Sequence, residues 1–228
     1  IELGLVGSEM CIRDRVWVID GGSQDDTIKI ATSHNCVVVK QHGKGKGAAM
    51  RLGFQKFIDS SADALVMLDP DGTYHPEEIP KLIAQLGNYD VIIGDRLNGN
   101  LEPDAMTKVN YFGNHILTWF ATGIYGVHIA DLCSGFWAFS RNAIARLKLN
   151  SMRFEIEAEM FSSCVTEELR IKCIPIRYSA RIGEAKLGSF TDGWTIFKKL
   201  LVRRLFGNPI EARTGKGNLD MEQARNQI

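Results

Sequence analysis

Asp69 and Asp71 stand two residues apart at the end of an apolar run, "ALVMLDPDGTYHPEE". A strand sends alternate side chains to one side, so both carboxylates face the same way if the pleat persists. Mg2+ and Mn2+ are commonly held by one or two such carboxylates together with substrate phosphates and waters. The pair therefore points to a metal–diphosphate clamp, against the plainer reading that aspartates end many strands. Asp20 closes a second apolar run, "VWVID", and Arg96 closes a third, "YDVIIGDR". Ligands in α/β sheets bind beyond the carboxyl ends of the strands, so these four residues are expected along one edge.

"GKGKGAA", residues 43–49, invites comparison with a phosphate loop. That loop needs Ser or Thr after its lysine, which is absent here. A glycine-rich helix start with Lys46 near a phosphate stays open beside a plain tight turn. "GGSQDD" is no dinucleotide fingerprint.

Short apolar strands alternating with amphipathic helices must position these residues. "VWVID", "CVVVKQ", "ALVMLD" and "YDVIIGDR" read as strands. Helices are expected over about 25–34 (capped by Ser23 or Asp25), over "GKGAAMRLGFQKFID", and over "HPEEIPKLIAQL". The alternation predicts an α/β fold with a mostly parallel sheet covered by helices on both faces. The second half predicts a long apolar helix over about 104–127, a strand in "DLCSGFWAFS", a helix in "FEIEAEMFSSCV" and a strand in "RIKCIPIRYSA". A basic amphipathic helix, "DGWTIFKKLLVRRLFGNP", precedes a polar tail over 207–228.

The chain has 228 residues, with 27 basic and 27 acidic side chains. That balance argues against a nucleic-acid binder working through a broad basic field. The five cysteines form no CxxC pair, so buried free thiols are expected rather than disulfides or zinc. No stretch is apolar enough to call a membrane span; "YFGNHILTWFATGIYGVHIA" carries Asn114, His115 and His128 and reads as an internal or interfacial helix. "GLVGSEMCIRDR", Gly4–Arg15, has no periodic pattern and is similar to a translated sequencing adapter. Residues 1–15 are therefore set apart as a scar, which leaves one domain over 16–206.

"VIDGGSQDDT", "GKGAAMRLG", "LDPDGTYHPEEIP", "GDR", "DLCSGFWAF", "FEIEAEM" and "RIGEAKLG" follow one another in an order that resembles family 2 glycosyltransferases of the GT-A fold. The likeness is greatest to polyprenyl- or dolichyl-phosphate hexosyltransferases and spans about residues 16–206. It implies a donor site for a nucleoside diphosphate sugar, with Asp20 on the base and Asp69, Asp71 and Thr73 on an Mg2+ or Mn2+ ion and the diphosphate. Lys46 and Arg96 would meet phosphate, Asp131 would shape the acceptor side, and Glu157 would orient the sugar. Arg181 and Lys186, in the R-x-G-x-x-K-like loop, would clamp donor or lipid phosphate. Three departures stand against it. Gly21 replaces a usual Asp, Ala185 replaces a usual Ser, and the first strand and helix, with their "P-x-x-N-E"-like nucleotide contacts, are missing before Val16.

The implied reaction is inverting hexose transfer to a polyprenyl phosphate at the cytoplasmic face of a membrane. Asp71, Asp131 and Arg96 are the expected catalytic residues. Lys198, Lys199, Arg203 and Arg204 share a helix with Trp194, Phe197, Leu201 and Leu205, which suits peripheral membrane contact as well as ordinary surface charge. Glu155 and Glu159 read as a solvated face. Three other activities stay open: a GT-A transferase with a saccharide hydroxyl acceptor and Asp131 as base, a nucleotidyltransferase making the sugar nucleotide, and an inactive donor-binding module.

Overall fold

A computed structural model describes residues 15–181 and 189–207. The first half alternates as its sequence leads one to expect: β1 (Trp17–Asp20), α1 (Thr27–Ser33), β2 (Val37–Lys40), α2 (Lys46–Ile58) and β3 (Ala64–Met67). A 3-10 turn (Pro76–Glu78) then runs into α3 (Ile79–Ile83) and β4 (Val91–Leu101). The second half comprises α4 (Lys108–Tyr125), β5 (Trp137–Ser140), α5 (Arg141–Arg146), α6 (Ile156–Thr166), β6 (Ile171–Tyr178) and α7 (Ser189–Phe206).

Several boundaries differ from the sequence reading for local reasons. Neither Ser23 nor Asp25 caps α1. Asp26 holds that position without a side-chain capping bond, while Ser23 donates to Asp20 and Asp25 accepts from the Thr27 amide. Pro80 supplies no amide hydrogen, and the expected third helix divides into the 3-10 turn and a short α3. The long helix begins at Lys108 because Thr107 caps it, accepting from the Asn110 amide, and it stops at left-handed Gly126. Only the last four residues of "DLCSGFWAFS" are strand.

Two sheets result. β1 and β2 pair in parallel, and a second sheet has the order β3–β5–β4–β6. β4 and β6 are parallel, but β5 runs antiparallel to both its neighbours, so the central sheet is mixed. Its two faces are both covered, as near-continuous apolar strands require. Val91, Ile93, Trp137 and Phe139 face one cluster with Phe54, Phe57 and Phe161. Ile92, Phe136 and Ala138 face the other with Tyr74, Leu82 and Tyr178. This period-two division along β4 and β5 places the carboxyl end of β3, and the two aspartates beyond it, beside the turn that leads into β5.

Among the described residues Cys36, Cys133, Cys164 and Cys173 are all free, two of them buried. Cys11 and Lys186 lie outside the described residues.

Candidate active site

Lys46, the first residue of α2, is the centre of charge. Its ammonium lies 2.7 Å from Asp69 Oδ2 and 2.5 Å from Glu157 Oε1. Burial works to lower its pKa, but the Glu157 and Asp69 carboxylates outweigh it and hold the group well above its usual value. Glu157, in the first turn of α6, moves up in turn: burial and the Asp69 charge exceed the help of Lys46.

The glycines around Lys46 explain its placement. A Cβ at Gly47 would sit 2.9 Å from Met152 C, and one at Gly45 3.2 Å from the same atom. The Ala48 amide donates to Met152 O at 3.3 Å. The 151–153 segment therefore crosses the start of α2 at close range and takes one of the amides that a phosphate would use there. The glycine-rich run is a packing device that delivers Lys46 to two carboxylates. Gln41 helps to anchor it, its amide donating to Asp20 O at 2.7 Å and its side chain to Gly45 O at 2.9 Å.

The two aspartates do not share a strand. β3 ends at Met67, and Asp69 and Asp71 lie in the turn beyond it, where Gly72 takes a φ of 77°. They consequently meet different partners. Asp69 faces Lys46, whereas Asp71 Oδ2 lies 3.0 Å from the Arg181 guanidinium. Asp71 Oδ1 accepts from the Thr73 amide at 3.1 Å and its hydroxyl at 2.5 Å, so buried Thr73 orients Asp71. Gly135 completes the corner. A Cβ there would stand 2.6 Å from Asp69 Cγ, and its amide donates to the Tyr74 hydroxyl at 2.6 Å. Tyr74, Gln41 and the close-approach role of Gly135 were not singled out from sequence; the only signal was the "CSGF" run holding the glycine.

The placement of Arg96 needs correction. Arg96 is not at a strand end: β4 continues to Leu101, with a register shift against β6 between Asp95 and Asn100. Such a bulge re-aims side chains, and Arg96 turns inward. It is 6% exposed, donates to Asp131 through Nε at 2.7 Å, Nη2 at 2.8 Å and its backbone amide at 3.0 Å, and lies over the Tyr178 ring. Asp131 is fully buried, with both oxygens committed. The pair locks β4 to the 129–136 loop. Asp20 remains at the end of β1, accepting from Ser23 and Gly22. The Ser23 bonds hold its carboxyl below the usual range. Burial pushes the Cys133 thiol up to about 12, so it stays protonated near neutral pH.

Comparison with known proteins gives the family and the fold. The sequence model described as Glycosyl transferase family 2 matches residues 10–148. The chain belongs to that family. It is 36% identical over 198 residues to glycosyltransferase AglJ of Haloferax volcanii, covering 86% of this chain and 64% of that one. It is 36% identical over 197 residues to the low-salt glycan biosynthesis hexosyltransferase Agl6 of the same organism, covering 85% and 47%. A dolichyl-phosphate hexose transferase of Haloferax volcanii is 28% identical over 203 residues, with 86% of both chains covered. The chain thus spans less than two thirds of the first two relatives. In fold it is similar to glucosyl-3-phosphoglycerate synthase from Mycobacterium tuberculosis, solved with Mn2+, uridine diphosphate and phosphoglyceric acid. That match has a TM-score of 0.64 at 20% identity and covers 84% of this chain and 68% of the other. The fold is GT-A.

Proposed function

We propose that this domain transfers a hexose, with inversion, from a nucleoside diphosphate sugar to a polyprenyl phosphate. The observation that carries the donor half is the alternation of charge beyond β3: Lys46 on Asp69 and Glu157, Arg181 on Asp71. Three carboxylates and two cations at one corner match a metal-bridged diphosphate, which needs carboxylates for the metal and positive charge for the remaining phosphate oxygens.

The residues fit a divalent cation. Asp69 and Asp71 supply hard oxygens, and Asp69 Oδ1 accepts no hydrogen bond among the described residues. When bound, the cation neutralises charge on the departing diphosphate. Thr73 keeps Asp71 turned to that task, and Gly135 leaves Asp69 the room it needs. Glu157, held by Lys46 at the start of α6, would orient a hexose hydroxyl on this reading. Asp20 closes the end of β1 for the nucleotide base.

The acceptor half rests on relatives named for dolichyl or undecaprenyl phosphate, including the undecaprenyl-phosphate mannosyltransferase of Micrococcus luteus. The site adds a chemical argument. A phosphate monoester is largely dianionic at neutral pH, with its second pKa near 6, and attacks without a protein base. A saccharide hydroxyl would need a free carboxylate, and Asp131 is bound on both oxygens by Arg96. The reading carries with it peripheral contact with the cytoplasmic face of a membrane.

Transfer from labelled nucleotide sugars, with and without a polyprenyl phosphate in detergent, tests it. Label should enter the lipid fraction only when divalent cation and lipid phosphate are both present. Asp71→Ala should reduce that transfer by at least about a hundredfold, as loss of a group stabilising transition-state charge does. Label passing to soluble sugars and none to lipid would sink the acceptor assignment.

A further inference from the structure

β6 ends the order of its sheet and, among the described residues, pairs as a strand with β4 alone. The chain that leaves the aspartate turn binds along it. The Ser179 amide donates to Thr73 O at 3.0 Å, and Tyr74 and Tyr178 form an isolated antiparallel bridge with their rings 5.1 Å apart. Farther on, the Arg177 amide donates to Glu78 Oε2 at 2.8 Å, and Lys81 donates to Pro175 O. Covering an edge strand in this way protects its backbone groups. One contact goes beyond that need. His75 Nε2 lies 2.6 Å from Ser179 Oγ, side chain to side chain, with His75 one-quarter exposed.

The place of that contact matters. Pairing of β6 with β4 stops at Tyr178, and Arg181 stands three residues past it. A long side chain on an unpaired segment samples many positions, and ordering it on a ligand costs binding energy. Ser179 is two residues before Arg181, and His75 is four residues after Asp71. The His75–Ser179 contact therefore closes a ring of bonds. Asp71 Oδ1 accepts from Thr73, Thr73 O accepts from the Ser179 amide, and Arg181 returns to Asp71 Oδ2 at 3.0 Å.

We propose that His75 is a positioning residue of the donor site. Through Ser179 it fixes the chain that carries Arg181, so that this guanidinium stands ready beside Asp71 for the phosphate oxygens of the donor. The inference rests on the donor reading above and adds how a cation beyond a strand end is kept in place. A guanidinium offers paired donors to phosphate in a fixed fork. Held in advance, it loses little further freedom on binding, and the difference appears as affinity. His75 acts on the donor only through Arg181, and that gives the proposal its test.

The intact chain is titrated in a calorimeter with uridine, guanosine, adenosine, cytidine and thymidine diphosphates, each with Mn2+. For the nucleotide that binds, His75→Ala and Ser179→Ala should each weaken binding about five- to tenfold. His75→Gln, whose amide reaches as far as Nε2, should stay within about twofold of the unaltered chain. In an Arg181→Ala background, His75→Ala should cost less than about a further twofold, because the group it positions is gone. In the transfer assay the donor KM of His75→Ala should rise while kcat stays nearly unchanged. Equal losses from His75→Ala with and without Arg181 would show a merely structural role and overturn the proposal. So would a His75→Ala chain that binds as tightly as the unaltered one. An unaltered chain that binds none of the nucleotides would instead remove the donor reading, and this inference with it.

Discussion

Lys46 illustrates how sequence can single out a residue without showing which carboxylates hold it. "GKGKGAA" drew attention to it as a phosphate contact, but the close approach of Ser151 and Met152 to Gly45 and Gly47 directs it to Asp69 and Glu157. Removing the ammonium leaves two carboxylates facing each other in a largely desolvated corner. Breaking a buried pair by deleting one partner costs several kcal/mol, and with Asp69 29% exposed we expect about 2–4 kcal/mol for Lys46→Met. Lys46→Met combined with Glu157→Gln should recover part of that loss, because the second change removes one of the two uncompensated charges. Urea denaturation of the three variants measures it; equal stabilities for the single and double variants would show that the corner is hydrated enough to screen the charges. Gly135→Ala acts on the same corner from the opposite side. Its Cβ would meet Asp69 Cγ at 2.6 Å and push the carboxylate off Lys46. Overpacking of this kind costs about 1–3 kcal/mol, and divalent cation should raise the melting temperature of this variant less than that of the unaltered chain, in the presence of nucleoside diphosphate.

α6 carries two functions on two faces. Glu157 and Glu159 are two positions apart, about 200° around a helix, so they address opposite sides. Glu157 meets Lys46, while Glu159 accepts from the Asn150 and Ser151 amides at 2.8 and 2.7 Å and pairs with Lys199 at 3.3 Å. The alternating "EIEAEM" reads as a solvated face, yet Glu159 is fully buried. Sequence could not show this, because the groups that satisfy it come from the segment before α6 and from α7, both distant in pattern from a helix heptad. Glu159 thus fastens α7 to the 148–151 segment, and that segment continues into the residues that cross the start of α2. Glu159→Gln preserves shape and acceptor oxygen but removes the charge facing Lys199 and Arg203, and should destabilise by about 1–3 kcal/mol. The loss should be local first. Hydrogen exchange across α7 should accelerate more than exchange in β4 and β5; uniform acceleration would mean that α7 has no separate opening step.

At the scale of the whole molecule, the α/β class and most element positions were legible because burial on both faces writes continuous apolar strands between amphipathic helices. Asp69 and Asp71 were legible for the same reason, since they end such a run. Strand direction was not. "WAFS" reads alike in either orientation, and only its distant pairing with β3 and β4 makes β5 antiparallel. Nor does any local pattern reveal the bulge that turns Arg96 away from the ligand edge and onto Asp131. The β4–β6 pairing that contains that bulge is fastened at its other end by Asp90, which accepts from the Arg170 amide at 2.9 Å, Nε at 3.0 Å and Nη2 at 3.2 Å. These bonds hold the Asp90 carboxyl below its usual range. A folded-state pKa that is depressed gives stability that is fully present above the unfolded value, about pH 4, and lost as pH falls through the lower folded value. Asp90→Asn keeps one oxygen acceptor and cannot titrate. Its denaturation midpoint should lie below that of the unaltered chain near neutral pH, and the difference should close as pH drops below about 4. High salt should narrow the neutral-pH difference too, because the Arg170 side chain is 60% exposed. Parallel midpoint curves for the two proteins from neutral to acid pH would show that Asp90 does not link β4–β6 pairing to protonation.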